Sequence, residues 1–129
     1  MTAFSTRLAS IRMNQLDEAL GSLREHEGVE HLLLVGRDGL LIRDAGGAGF
    51  AAETVAAMVP GLASACAALT RATDQGPFIT AVLEFASGVV VVAPLSGEVL
   101  LAVVLRQGVG FAPLLRTLRR DRDRIAGLL

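Results

Sequence analysis

The 129-residue sequence has one cysteine, no tryptophan, no tyrosine and few charged side chains, which make up 19% of the chain. One cysteine excludes an internal disulfide and suits a cytoplasmic protein. Without tryptophan or tyrosine, binding of single-stranded nucleic acid by base stacking has little support. Twelve basic and thirteen acidic residues give a formal charge of -1. The chain as a whole therefore has no electrostatic attraction for nucleic acid.

The sequence also lacks an uninterrupted apolar run long enough to cross a membrane. The longest candidate, residues 89–105, has Pro94, Ser96, Gly97 and Glu98 at its centre. Two β-branched runs around a turn predict a hairpin, and the segment is shorter than the roughly 20 apolar residues of a span. We therefore expect no transmembrane segment, and arginines near the amino terminus argue against a secretory signal.

Apolar residues are abundant instead, at 52% of the chain. This length and composition predict one folded domain over residues 1–129, with its own core. Residues 13–26 are predicted to form a helix that ends before Gly28, and residues 1–12 either extend it or form a flexible arm. An apolar excess in so small a chain indicates that some surface is reserved for association.

Five strands follow from the alternation of apolar residues and turns. Residues 31–36 and 40–43 flank Asp38 and Gly39, which is a strong hairpin signal. Later strands are predicted at 78–85, 89–93 and 99–105, with a final helix at 111–129. The last two strands are apolar on both sides and belong in mid-sheet, whereas the third, with its polar Thr80 and Glu84, is the better edge candidate.

The central segment, residues 51–73, predicts one long alanine-rich helix, with a kink favoured over a break at Pro60 and Gly61. At about 100° per residue, one stripe is expected to face the sheet: Val55, Val59, Leu62, Cys66 and Leu69. A second stripe consists mostly of small residues: Thr54, Met58, Gly61, Ala65, Ala68 and Ala72. A helix that is apolar on most of its circumference needs cover on a second side. The most economical cover is the same helix from a second copy, so we predict a homodimer with this second stripe at its interface.

No catalytic, cofactor or metal site is predicted. His26 and His31 are five residues apart across a helix-ending glycine, so they do not share a helical face as a zinc-protease motif requires. The glycines at 46–49 lack the other parts of a phosphate-binding motif and predict a flexible connection. Cys66 is interpreted as a core residue. The arginines of the last helix are interpreted as a solvated face with pairs such as Arg119 with Asp123, the alternative being a docking patch for an acidic partner or membrane.

The whole pattern resembles the Roadblock (dynein light-chain) domain family over nearly the whole chain, and within it the bacterial single-domain MglB-like branch. The residues that carry the resemblance are Gly28 with Val29, the sequence LLLVGRDGLLI at 32–42, the alanine-rich helix at 51–72 and GVVVVAPLSGEVLLAVVL at 88–105. The resemblance implies an α+β fold in which a five-stranded antiparallel sheet lies between one long central helix and two terminal helices. The expected order is α-β-β-α-β-β-β-α.

The resemblance further implies a homodimer in which the central helices pack antiparallel and the third strands join edge to edge. On that strand the expected interface residues are Phe78, Thr80, Val82 and Glu84. Members of the MglB type are non-enzymatic platforms that bind a Ras-like small GTPase and speed its GTP hydrolysis without inserting an arginine finger.

Three hypotheses follow for this chain. The first is a cytoplasmic homodimer that binds and regulates a Ras-like GTPase through the outer face of its central helices, around Glu53, Ala57, Ser64 and Arg71. The second is a dimeric scaffold or adaptor of a signalling complex with no GTPase partner. The third is a small enzyme or ligand sensor, which requires a concave pocket containing His31 or Cys66.

Overall fold

The computed structural model describes residues 3–129, so Met1 and Thr2 of the predicted arm lie outside the described residues. The elements follow the predicted order. They are α1 (Ala3–Arg24), β1 (Val29–Gly36), β2 (Leu41–Gly46), α2 (Ala52–Thr73), β3 (Ala81–Phe85), β4 (Gly88–Pro94), β5 (Val99–Arg106) and α3 (Ala112–Ala126). Residues 3–12 continue α1 as exposed helix.

The five strands form one antiparallel sheet in the order β2-β1-β5-β4-β3. β5 and β4 lie in mid-sheet and β3 lies at an edge, as predicted. The Asp38-Gly39 hairpin is also confirmed, since β1 pairs with β2 and Gly39 has a φ of +86°. That backbone conformation costs a side-chain-bearing residue energy that glycine avoids. The β4–β5 pairing confirms that residues 89–105 form a hairpin.

Side chains alternate between the two faces of this sheet, because successive residues of a strand point to opposite sides. On β1, Leu32 and Leu34 pack toward α1 and α3, while Leu33 and Val35 pack toward α2. The same alternation on β5 places Leu101 with the terminal helices. The fold is therefore α+β, with α2 on one face of the sheet and α1 and α3 on the other.

Both terminal helices bury a stripe of large apolar residues on their face of the sheet. Leu16, Leu20 and Leu23 of α1 meet Leu114 and Ile125 of α3 in one continuous core. None of these five side chains is more than 5% exposed. These five side chains are therefore covered within the single chain.

The opposite layer contains α2 alone, and α2 runs unbroken through Pro60 and Gly61. A break into two helices, which the sequence left open, does not occur. By length and composition α2 could cross a membrane, but Ala52, Ala56, Val59 and Ala63 are buried against the sheet, which is the position of a core helix. After Ala63 the described part of the helix has no further buried residue.

Candidate protein-interaction surface

The side of α2 that faces the sheet is rotated about the helix axis relative to the predicted stripe. The buried residues are Ala52, Ala56, Val59 and Ala63. Val55 and Leu62 only flank this contact, Cys66 is half-buried, and Leu69 is 62% exposed. The prediction is therefore confirmed for Val59 and wrong for Leu69, and Cys66 lies at the margin of the contact. Three alanines and Val59 face the sheet at the centre of the contact.

This rotation leaves an apolar groove between α2 and the β3 side of the sheet. The groove has a volume of about 330 Å³, and its walls include Val55, Met58 and Leu62 of α2 with Leu83 and Phe85 of β3. Met58 is 69% exposed and Phe85 59% exposed. Phe85 lies on the α2 side of the sheet but stays exposed, because the single helix does not extend over the edge strand. Contiguous exposed apolar side chains of this kind mark protein-interaction sites.

The predicted interface stripe of α2 lies on the outer surface of the helix, next to this groove. All six of its residues are exposed, namely Thr54, Met58, Gly61, Ala65, Ala68 and Ala72. A Cβ added at Gly61 would meet no atom within 4 Å. The helix therefore presents a smooth surface on which another backbone could come close.

The outer side of β3 has no neighbouring strand in residues 3–129. Val82 and Glu84 lie in β3, and Thr80 comes just before the strand, which begins at Ala81 rather than at the predicted residue 78. Phe78 is half-buried against the α2-side core. An unpaired edge strand exposes backbone N–H and C=O groups that can pair with another chain. The open edge and the groove thus adjoin each other.

The four predicted docking residues, Glu53, Ala57, Ser64 and Arg71, are exposed on the flank of α2 away from β3. The β1–β2 turn approaches this flank, because a Cβ at Gly39 would lie 3.6 Å from the Cα of Ala57. Leu40, the next residue of the turn, is 67% exposed. Leu40 is not among the docking residues predicted from the sequence. Its position directly after the Asp-Gly pair, at the tip of a hairpin, could have indicated that it is exposed.

The candidate chemical residues do not assemble into one site. His31 stacks on Phe50, with ring centroids 3.8 Å apart and planes 10° from parallel, and its Nδ1 atom is buried without a hydrogen-bond partner. His26 lies in the turn after α1, beside a cavity that contains neither His31 nor Cys66. Within residues 3–129, no group of three or more His, Cys, Asp and Glu side chains could hold a metal ion.

The arginines of α3 are arranged differently from the predicted pairs. Asp121, not Asp123, is the acidic partner: its carboxylate lies 3.0 Å from Arg120 and 3.5 Å from Arg124. The hydrogen bond from Arg120 lowers the pKa of the Asp121 carboxyl group and raises the pKa of the Arg120 guanidinium. Arg119 with Asp123, the spacing that favours a helical pair, does not form an ion pair among the described residues.

Comparisons with known proteins agree with this architecture. The model of the Roadblock/LC7 domain family matches residues 15–105, more than half of the chain. A comparison with curated protein sequences found no match.

Among solved structures, one described as MglB with a tetrameric arrangement has a TM-score of 0.80 at 18% identity, over 91% of this chain and 89% of that chain. The gliding protein MglB of Thermus thermophilus has a TM-score of 0.79 at 19% identity, over 91% and 90%. Myxococcus xanthus MglB has a TM-score of 0.79 at 16% identity, over 88% and 94%. At these identities the likeness shows the fold alone. The chain belongs to the Roadblock/LC7 domain family.

Proposed function

We propose that this chain is a non-enzymatic, homodimeric platform of the MglB type that binds a Ras-like small GTPase in the cytoplasm and stimulates its GTP hydrolysis. The observation that carries the proposal is the exposed surface made by α2 and the open edge of β3, in a chain with the MglB fold. Met58, Leu69 and Phe85 of this surface are each more than half exposed. Clustered exposed apolar side chains of this kind favour contact with another protein.

A second copy of the chain suits this surface better than an unrelated protein. The outer stripe of α2 is made mainly of alanine and glycine, so two such helices can approach closely. Pairing of two β3 edges would at the same time satisfy backbone groups that the single chain leaves open. One two-fold axis serves both contacts, because β3 and α2 border the same groove.

The GTPase would dock beside this dimer contact, on the flank of α2 that carries Glu53, Ala57, Ser64 and Arg71. The exposed Leu40 of the neighbouring turn extends this docking surface. An acidic, a basic and an apolar residue lie within it, which is a composition suited to a reversible contact. The chain would act by rearranging the GTPase's own residues, so the proposal does not require an inserted arginine.

The test mixes the purified chain with a Ras-like GTPase from the same organism, loaded with GTP, and follows both complex formation and phosphate release. We expect a complex that forms with the GTP form and a faster release of phosphate. Ser64→Glu should weaken the complex while leaving the homodimer intact. Threonine at the same position, Ser64→Thr, is the matched control and should bind normally.

Failure to form a complex, together with an unchanged rate of hydrolysis, would contradict the GTPase proposal. A pull-down from native cells then separates the alternatives. A GTPase as the dominant captured protein supports the proposal, whereas other signalling proteins without a GTPase support the scaffold or adaptor hypothesis.

A further inference from the structure

The first half of α1 has no cover in the structure. Residues 3–15 are helical and all of them are exposed, and the first buried residue of the helix is Leu16. A helical segment of this length is about 20 Å long and is only marginally stable in water without a packed side. A surface that covers one side of residues 3–15 would therefore stabilise them.

Three large apolar side chains form a stripe along this segment, the Phe4 stripe. Phe4 is 69% exposed, Leu8 49% and Ile11 46%, and their spacing by four and three residues places them on one side of the helix. This side is about 100° round the axis from the mean direction of the four buried residues of α1. Ala9 and Met13, on another side of the segment, line a groove beside β2. The Phe4 stripe is therefore not a continuation of the core-facing side of α1.

Two arginines flank the Phe4 stripe. Arg7 and Arg12 lie about 70° to either side of it, and neither is in an ion pair within the described part of the chain. Residues 3–15 contain no acidic side chain, and Asp17 and Glu18 come only after the first buried residue. An apolar stripe bordered by unbalanced positive charge is typical of a helix that lies in the interface of an anionic membrane.

A second copy of the chain does not suit this stripe. A two-fold contact between two Phe4 stripes would bring Arg7 and Arg12 of both copies together, and opposed like charges are destabilising. The whole chain has a formal charge of -1, so the positive charge is a local property of this segment. The complementary surface is therefore apolar and negatively charged.

We propose that residues 3–15 form a membrane-docking segment that lies in the headgroup region of a bilayer containing anionic phospholipid. The Phe4 stripe enters the acyl boundary, while the long side chains of Arg7 and Arg12 keep their guanidinium groups at the phosphates. The segment lies along the membrane plane, because about 20 Å of helix is too short to span a bilayer. The inference goes beyond the proposed function and requires neither the homodimer nor the GTPase.

Co-sedimentation with lipid vesicles tests the apolar contact. At low salt the wild-type chain should bind vesicles of phosphatidylglycerol and phosphatidylcholine, and Leu8→Gln should weaken this binding about tenfold, because the stripe loses its central side chain. Ser10→Gln is the matched control. It introduces the same side chain about 200° further round the helix and should leave binding unchanged.

The same measurement tests the contribution of the arginines. The wild-type chain should bind the mixed vesicles at least about tenfold more tightly than pure phosphatidylcholine vesicles, and high salt should reduce this preference. Arg7→Gln with Arg12→Gln should bind both kinds of vesicle alike. Arg37→Gln with Arg71→Gln removes the same charge from exposed positions outside α1 and should keep the preference.

Fluorescence tests which side of the helix enters the bilayer. The chain contains no tryptophan, so Phe4→Trp introduces a single indole into the Phe4 stripe. Its emission should shift to shorter wavelength when the mixed vesicles are added, because the ring leaves water for the interface. Ser10→Trp is the matched control and should keep the emission of a ring in water.

The outcomes that would overturn the inference are distinct from failure of the proposed function, which is tested without membranes. Absence of binding to the mixed vesicles overturns the membrane contact. Equal weakening by Leu8→Gln and Ser10→Gln, or equal shifts for the two tryptophan variants, overturns its assignment to the Phe4 stripe. Absence of vesicle binding, together with a weaker GTPase complex for Leu8→Gln, would assign the stripe to a protein partner instead.

Discussion

The two faces of the sheet are built from the same strands but are completed in different ways. Within residues 3–129, the core under α1 and α3 contains sixteen buried residues, and the core under α2 contains nine, four of them alanines. Two helices with leucine-rich stripes cover the first core. The second has one helix, beside which Met58 and Phe85 remain largely exposed. One face thus supports folding of the single chain, and the other is suited to association.

The largest effect is expected from a charge placed on the association face. Ala65→Glu would bury an unpaired carboxylate where two α2 helices meet, at a cost of about 3–5 kcal/mol, enough to raise the dimer Kd more than about a hundredfold. Circular dichroism should show an intact fold, because Ala65 is exposed in the single chain. Gel filtration with light scattering provides the measurement.

The neighbouring residue is the control for this substitution. Ser64 lies about 100° further round the helix, on the flank away from β3, so Ser64→Glu should elute as the wild-type dimer does. An unchanged elution volume for Ala65→Glu would exclude the proposed interface. Equal disruption by both substitutions would show that the contact is not limited to the small-residue stripe.

A truncation on the opposite face should separate stability from association. Leu101 is fully buried on the side of α1 and α3, so Leu101→Ala should lower the free energy of unfolding by about 2–5 kcal/mol. The affinity of the folded chain for itself should change little, because Leu101 is on the far side of the sheet. Urea unfolding and sedimentation velocity at low urea measure the two effects. Loss of the dimer without loss of stability would contradict the division between the faces.

The contrast between the two faces also explains where sequence analysis succeeded. Large leucines at helical spacing identify the covered face of α1, and the Asp38-Gly39 turn defines the first hairpin. The element order and the edge position of β3 could therefore be predicted. The orientation of α2 could not. Its apolar residues occur on most sides, and the stripe that meets the sheet is decided by how closely the helix can approach, which favours Ala56 and Ala63 over Leu69.

The sequence predicted which stripe of α2 belongs to the candidate surface, but not all residues of that surface. The small-residue stripe at 54–72 could be identified from helical spacing, and it is exposed in the structure. Exposure of Phe85 depends on how far one helix extends over the sheet, and this is a tertiary property. The ionic partner of Asp121 depends on side-chain reach: the adjacent Arg120 bonds it directly, although spacing by four favoured Arg119 with Asp123.

A smaller effect is expected from shortening an exposed apolar side chain at the groove. Met58→Ser should weaken the dimer by about 1–2 kcal/mol, somewhat less than the value of a fully buried methionine. Leu40→Ser is a matched control, since Leu40 is as exposed as Met58 but lies on the β1–β2 turn. Analytical ultracentrifugation should show a change in Kd for Met58→Ser only. A change with Leu40→Ser instead would move the interface to the hairpin side.

The smallest effect on stability is expected from a substitution of Asp121 in α3. Because the hydrogen bond from Arg120 lowers the pKa of this carboxyl group in the folded chain, its stabilising contribution is present above the pKa of the unfolded chain and is lost as the pH falls through the folded value. Asp121→Asn should therefore lower the Tm slightly at pH 7. The difference should disappear in acid, as the wild-type carboxylate is protonated.

Thermal unfolding followed by circular dichroism at a fixed protein concentration measures this difference. Asp123→Asn is the control, because Asp123 has no ion pair among residues 3–129, and it should not lower the Tm. A difference for Asp121→Asn that persists unchanged below the folded pKa would contradict the electrostatic explanation.

Sedimentation equilibrium of the wild-type chain tests the central claim most directly, because it reports mass without relying on any substitution. If α2 and β3 are completed by a second copy, the mass at micromolar concentration will be at least twice the 13.4 kDa of one chain, and it will fall toward the monomer on dilution. A mass of 13.4 kDa at every concentration would contradict the account.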